Sequence, residues 1–146
     1  MRVDGRNSYM SNREWFHSVL RDNDVVLCHT SALECLGQFP GYANESQIDV
    51  YAMVREPYDN INWYVIDGFD GLDIVNIAGL RCTSFNQTVN DMLRDYDLID
   101  EQSLVQALAG FYYRNGESFN GLRITPQYAD RFNAIRDWAI EFYDYE

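Results

Sequence analysis

The chain has 146 residues, 23 acidic against 11 basic, and a formal net charge of −12 with both histidines neutral. The acids are spread through both halves and every cation is an arginine, so the basic stripe that binding a phosphate backbone requires is missing. With 47% apolar residues and 15% aromatics the chain can bury a core, its length suits one domain, and no run approaches the roughly 20 apolar residues that span a membrane.

Residues 1–10, which mix glycine, asparagine, serine and both charge signs, read as a flexible leader, and residues 11–146 as one domain. Nothing in the leader resembles an apolar signal run, so the cytoplasm is the expected location. Ser11 and Glu14 make a capping box ahead of Trp15, Phe16, Val19 and Leu20, which predicts a first helix to about Arg21. Val25 to Cys28 reads as a buried strand or an extended approach to a second helix. That helix is expected to be capped by Ser31 with Glu34 and to end at Gly37.

The middle third changes period. Ile48, Val50, Ala52 and Val54 alternate with Asp49, Tyr51 and Met53, which predicts a strand ending before Pro57. Asn62 to Ile66 and Asp73 to Ala78 flank Asp67-Gly68-Phe69-Asp70-Gly71 and read as a hairpin, with a short strand at Leu80 to Cys82 after Gly79.

The last third reads as helical. Ser84 with Gln87 caps one helix, and a second follows Asp100 with Leu104, Val105, Leu108, Phe111 and Tyr112, the two forming a helical hairpin. Gly116 to Gly121 is a turn, and Thr125-Pro126 opens a terminal helix with Tyr128, Phe132, Ile135, Ala139 and Phe142 on one stripe. The expected product is an α+β domain, a small, mainly antiparallel sheet packed against about five helices.

No phosphate loop, dinucleotide fingerprint or serine-nucleophile elbow is present, and no cofactor is implied. Cys28, Cys35 and Cys82 form no CxxC pair and read as buried free thiols. A catalytic cysteine would need His17 or His29 beside it. Cys28 and His29 are neighbours, but in an extended segment they point to opposite faces, and His17 reads as a surface residue of the first helix. Asp67, Asp70 and Asp73 do not have calcium-loop spacing, and turn geometry explains them. These features favour a non-enzymatic protein.

Asp91, Asp95, Asp97, Asp100 and Glu101 cluster around a helix junction, with Asp97 or Asp100 as an N-cap. Such a face suits a basic partner. Ten of the 22 aromatics lie from Phe111 onward, and Trp138, Tyr143 and Tyr145 fall partly off the core stripe, which marks them for contact with a partner.

Two segments resemble the AbiEi-family antitoxins of abortive-infection toxin–antitoxin systems. His29-Thr30-Ser31-Ala32-Leu33-Glu34-Cys35-Leu36-Gly37 is similar to the family's "SALELHGL" stretch, and Cys82 to Leu93 resembles its strand-to-helix "S-x-E-R-T-x-x-D-L-L" signature. The second agrees at Ser84, Thr88, Asp91 and Leu93, with Asn86-Gln87 in place of the Glu-Arg pair. The resemblance implies fold-defining positions at Ser31, Leu33, Gly37, Ser84, Thr88 and Asp91. It also implies an antitoxin of a bacterial or phage defence module, encoded beside a toxin such as a nucleotidyltransferase-like protein. The family's N-terminal winged helix has too few residues here before Val25, so operator binding is not expected. Direct contact with the toxin is inferred from the charge and the aromatic surplus. Two other readings are a nucleic-acid mimic that blocks a DNA-binding enzyme and a small carboxylate-dependent hydrolase.

Overall fold

The computed structural model describes residues 12–20, 24–39, 47–58 and 60–142. The leader, Ser11, Tyr143 and Tyr145 lie outside them. Five strands, β1 (Val25–Leu27), β2 (Ile48–Ala52), β3 (Ile61–Val65), β4 (Ile74–Ile77) and β5 (Leu80–Thr83), form one sheet in the order β3-β2-β1-β5-β4. Helices α1 (Asn12–Leu20), α2 (His29–Cys35), α3 (Phe85–Arg94), α4 (Glu101–Arg114) and α5 (Ala129–Phe142) complete the α+β fold.

The sheet is mixed. β1 pairs antiparallel with β2 and β4 with β5, whereas β2 runs parallel to β3 and β1 to β5. The expected hairpin across the Asp67–Gly71 loop is corrected: β3 and β4 occupy opposite edges. The loop carries Ile66, Phe69 and Leu72, which pack on Val26, Cys28 and Tyr51. Burying that apolar surface favours a loop lying across the sheet over a tight turn in solvent. The actual hairpin joins β4 to β5 through Ala78 (φ 52°) and Gly79 (φ 84°), the left-handed pair that suits a two-residue connection.

Strand alternation sends Val25, Leu27, Ile48, Val50, Ala52, Ile61 and Cys82 to one face, where Trp15, Phe16, Val19 and Leu20 of α1 and Ala32 and Cys35 of α2 close the core. Leu33, on α2, enters a second core instead, with Val89, Met92 and Leu93 of α3, Leu104 and Leu108 of α4, and Phe132, Ile135 and Ala139 of α5. α2 therefore joins the sheet to the helical layer. α4 packs closely against α5, so the expected α3–α4 hairpin is replaced by an α4–α5 pair, with Leu104 and Leu108 in one core with Phe132, Ile135 and Ala139.

Local signals explain most helix ends. Ser84 Oγ accepts from Gln87 N–H, Asp100 Oδ1 accepts from Gln102 N–H at 3.1 Å, and Thr125 with Pro126 starts a short 3-10 turn leading into α5. At Gly37 (φ 74°), Gln38 N–H reaches Leu33 O and Gly37 N–H reaches Glu34 O, a Schellman stop. α2 starts earlier than its predicted cap. Ser31 lies inside the helix, and its Oγ accepts from Asp49 N–H at 2.9 Å.

Candidate functional site

The sheet face opposite α1 is unusually polar. Parallel register sets Asp49 beside Asn62 and Tyr51 beside Tyr64, and the even spacing within each strand places all four on this side. Asn62 Nδ2 donates to Asp49 Oδ1 at 3.0 Å. Burial raises the Asp49 carboxyl above the ordinary aspartate range, against the opposing effect of Asn62, His29 and the amides of Ser31 and Thr30. Those two amides belong to the first turn of α2, so Asp49 supplies from a neighbouring strand the helix-terminal acceptor that the Ser31 hydroxyl was expected to supply locally.

His29 stands next to this pair, fully buried at φ 49°. The left-handed backbone turns the ring back on its neighbour, so Cys28 Sγ lies 3.2 Å from His29 Nδ1. The expected separation of the two side chains is thereby corrected, because strand alternation stops at Leu27. His29 Nε2 lies 2.9 Å from Asp95 Oδ2, and the Tyr64 ring lies 4.4 Å from the imidazole between centroids. Arg94 grips Asp95 with Nε at 3.0 Å and Nη2 at 2.7 Å, and Nη2 also donates to Tyr51 Oη at 2.8 Å. Tyr51 Oη in turn donates to Asp91 Oδ2 at 2.8 Å, and Gln87 Nε2 donates to Asp91 Oδ1 at 2.9 Å.

Thiol, imidazole and carboxylate thus have the connectivity of a nucleophile, base and orienting acid. The thiol has no exposed surface, and burial, reinforced by the charges of Asp49, Asp91 and Asp95, pushes its pKa well up. A nucleophile must be thiolate and reachable. What this geometry does instead is brace: it ties α2, β2 and the end of α3 into one hydrogen-bonded unit.

Beside the brace opens a cleft of about 230 Å³. Glu34, 7% exposed, and Asp49 line its interior, Asp100 stands at its edge, and Phe39, Leu98 and Ile99 supply apolar surface. Leu98 belongs to the 3-10 turn Tyr96–Leu98 and is 69% exposed.

The acidic cluster predicted from sequence divides in two. Asp91 is 3% exposed with both oxygens engaged, so it is corrected from a surface contact to an internal brace. Asp95 is half-buried in the same network. Asp97, Asp100 and Glu101 are exposed and form an edge with Leu98, Glu101 accepting from Tyr96 Oη. Trp138 is exposed on α5. Of the motif positions, Thr88 Oγ1 donates to Ser84 O at 2.6 Å and lies 2.6 Å from Thr83 Oγ1, which fastens α3 to β5. Asp49, Asn62, Tyr51, Tyr64, His29 and Arg94 were not anticipated as a group. The sequence signal is the repeated Asp-x-Tyr and Asn-x-Tyr of two strands, both on the face away from α1.

No protein-family model matches the chain, and no curated protein matches it. Among the described residues no helix is long and apolar enough to cross a membrane.

Proposed function

We propose that the chain is a non-enzymatic, antitoxin-like protein of a bacterial or phage defence module that neutralises a toxin by direct contact. The observation that carries this reading is the Asp97–Glu101 edge, where an exposed leucine is framed by three exposed carboxylates. Charged rims steer a partner of opposite sign, and an apolar residue among them supplies the contact that loses water on binding. The resemblance of α2 and the β5–α3 segment to AbiEi antitoxins supports the kind of partner. Both segments are structural centres of this fold, so the likeness bears on the scaffold, while the acidic edge bears on the contact.

The test is co-expression with the toxin-like product of an adjacent reading frame. The chain should restore growth, and an Asp97→Lys/Glu101→Lys variant that remains folded should not. The complex should weaken as salt rises. Failure to restore growth, or rescue untouched by charge reversal, sinks the reading.

A second reading draws on one observation, two carboxyl groups in a single cleft with Asp49 held above its ordinary range. A carboxylate-dependent hydrolase would use them as acid and base. Asp49, however, is already bound to the start of α2, which ranks this reading below the first. Turnover of a phosphodiester or glycoside substrate that disappears in Glu34→Gln would reverse the ranking.

A further inference from the structure

Asparagine stands directly before glycine twice in the chain, at Asn115-Gly116 and Asn120-Gly121, both in the connection between α4 and α5. That pair is chemically labile. Glycine has no side chain to shield its nitrogen or to limit its backbone, so the nitrogen can attack the preceding side-chain amide carbon. The bond formed between that nitrogen and Cγ closes a succinimide ring. The side-chain nitrogen leaves as ammonia and takes with it the proton of the attacking nitrogen. Water then opens the ring at either carbonyl, giving aspartate or isoaspartate, in which the main chain runs through the side-chain carbon. One water is consumed and one ammonia released, with no oxidant or metal.

The fold treats the two sites differently. Asn115 caps the C-terminus of α4, and its Nδ2 donates to Ser118 O at 3.0 Å and to Asn120 O at 2.7 Å. An asparagine amide has two protons to donate. Both are engaged here, so the group turns toward Gly116 only by giving up two hydrogen bonds. Asn120 is exposed and held through its main chain alone: its N–H donates to Ser118 Oγ at 2.9 Å, and its carbonyl is the one that accepts from Asn115. Among the described residues nothing bonds its side-chain amide or the Gly121 N–H. The space around Gly121 is open, with no atom within 4 Å of where a Cβ would stand.

We propose that Asn120 is a site of spontaneous deamidation, converting to isoaspartate while Asn115 persists, and that the conversion loosens the connection between α4 and α5. Isoaspartate adds a carbon to the main chain and turns the carbonyl that accepted from Asn115 into a free carboxylate. Just beyond it, two side chains of α3 hold the chain as a neighbouring strand would. Asn86 Oδ1 accepts from Arg123 N–H at 2.9 Å, Asn90 Oδ1 accepts from Thr125 N–H at 2.7 Å, and Asn90 Nδ2 donates to Arg123 O at 2.8 Å. A chain lengthened at position 120 no longer keeps Asn115 on one side and these α3 anchors on the other in step, and it carries one more negative charge.

The test is ageing of the full chain at mildly alkaline pH and physiological temperature, folded and in urea. Trypsin cuts after Arg114 and Arg123, so one peptide holds both asparagines, and electron-transfer fragmentation of it assigns the amide-to-acid mass change and the isoaspartyl link to a position. In the folded chain Asn120 should convert several-fold faster than Asn115, and in urea the two rates should draw together, which places the difference in the fold. The aged folded chain should show a lower urea midpoint than fresh protein. Asn120→Asp, which adds the charge without lengthening the chain, should keep the fresh midpoint, and Asn120→Gln should neither convert nor lose stability on ageing. Conversion of Asn115 as fast as Asn120 in the folded chain, or persistence of Asn120 there while it converts in urea, overturns the assignment of the site. An unchanged midpoint after conversion, or an equal fall in Asn120→Asp, overturns the loosening.

Discussion

His29 Nε2 and Asp95 Oδ2 lie 2.9 Å apart and join the start of α2 to the end of α3 across 66 positions of sequence. The contact makes Asp95 a titrating group of known sign. Burial alone would raise its carboxyl, but hydrogen bonds from His29 and Arg94 and the charge of Arg94 hold it well below the ordinary 3.8. A folded pKa below the unfolded one gives stability that is present above pH 3.8 and lost as pH falls through the folded value. Asp49 has the opposite sign: its contribution is present below 3.8 and lost as pH rises through its raised value. Carboxyl NMR should therefore place the Asp95 midpoint below 3.8 and that of Asp49 above it. Asp95→Asn should cost about 1.5–3 kcal/mol at pH 7, and less at pH 2. Reversed midpoints would refute the brace.

Tyr51 contributes through its hydroxyl, which donates to Asp91 and accepts from Arg94. Tyr51→Phe should lower stability by about 1.5–3 kcal/mol in urea melts while leaving the m-value unchanged. Asp91→Ala leaves the Tyr51 hydroxyl and the Gln87 amide without their acceptor, and should cost about 1.5–3 kcal/mol. The double variant should cost less than the two single losses added together, because both remove one shared bond.

Ala78 occupies a left-handed position at φ 52° just before Gly79. An alanine is strained there and an asparagine much less so. Ala78→Asn should stabilise the chain by about 0.5–1 kcal/mol, read as a higher urea midpoint. A lower midpoint would mean that the β4–β5 connection is not the left-handed pair described.

Cys28, Cys35 and Cys82 are all buried, and burial with three neighbouring aspartates pushes the Cys28 thiol up. Iodoacetamide should leave Cys28 unmodified in the native protein at pH 7.5 and label it within minutes in urea, as followed by peptide mass spectrometry. Rapid native labelling would reopen the case for Cys28 as a nucleophile.

Features decided within a few residues were legible in the sequence. Ser84, Asp100, Gly37 and the Thr125-Pro126 pair each act on atoms two to four positions away, and each stands where the pattern put it. Features decided by covering apolar surface were not. The Gly68 and Gly71 loop looks like a turn because glycines permit one, but Phe69 and Leu72 draw it across the sheet. Ser31 carries a capping signature, and its real partner, Asp49, comes from β2. The brace was hidden for the same reason. Asp91 looks like any surface acid until β2 brings Tyr51 to it, whereas Asp97 and Glu101, which meet no such strand, remained on the surface where acidity alone would place them.

The position of β1 has a consequence for how the chain matures. This three-residue strand lies in the middle of the sheet, and one of its two neighbours, β5, is reached only at Leu80–Thr83. During synthesis the first half can do no more than pair β2 with β1 and β3. One flank of the central strand stays open until the ribosome has delivered β5, an interval in which an unpaired edge invites association between nascent chains.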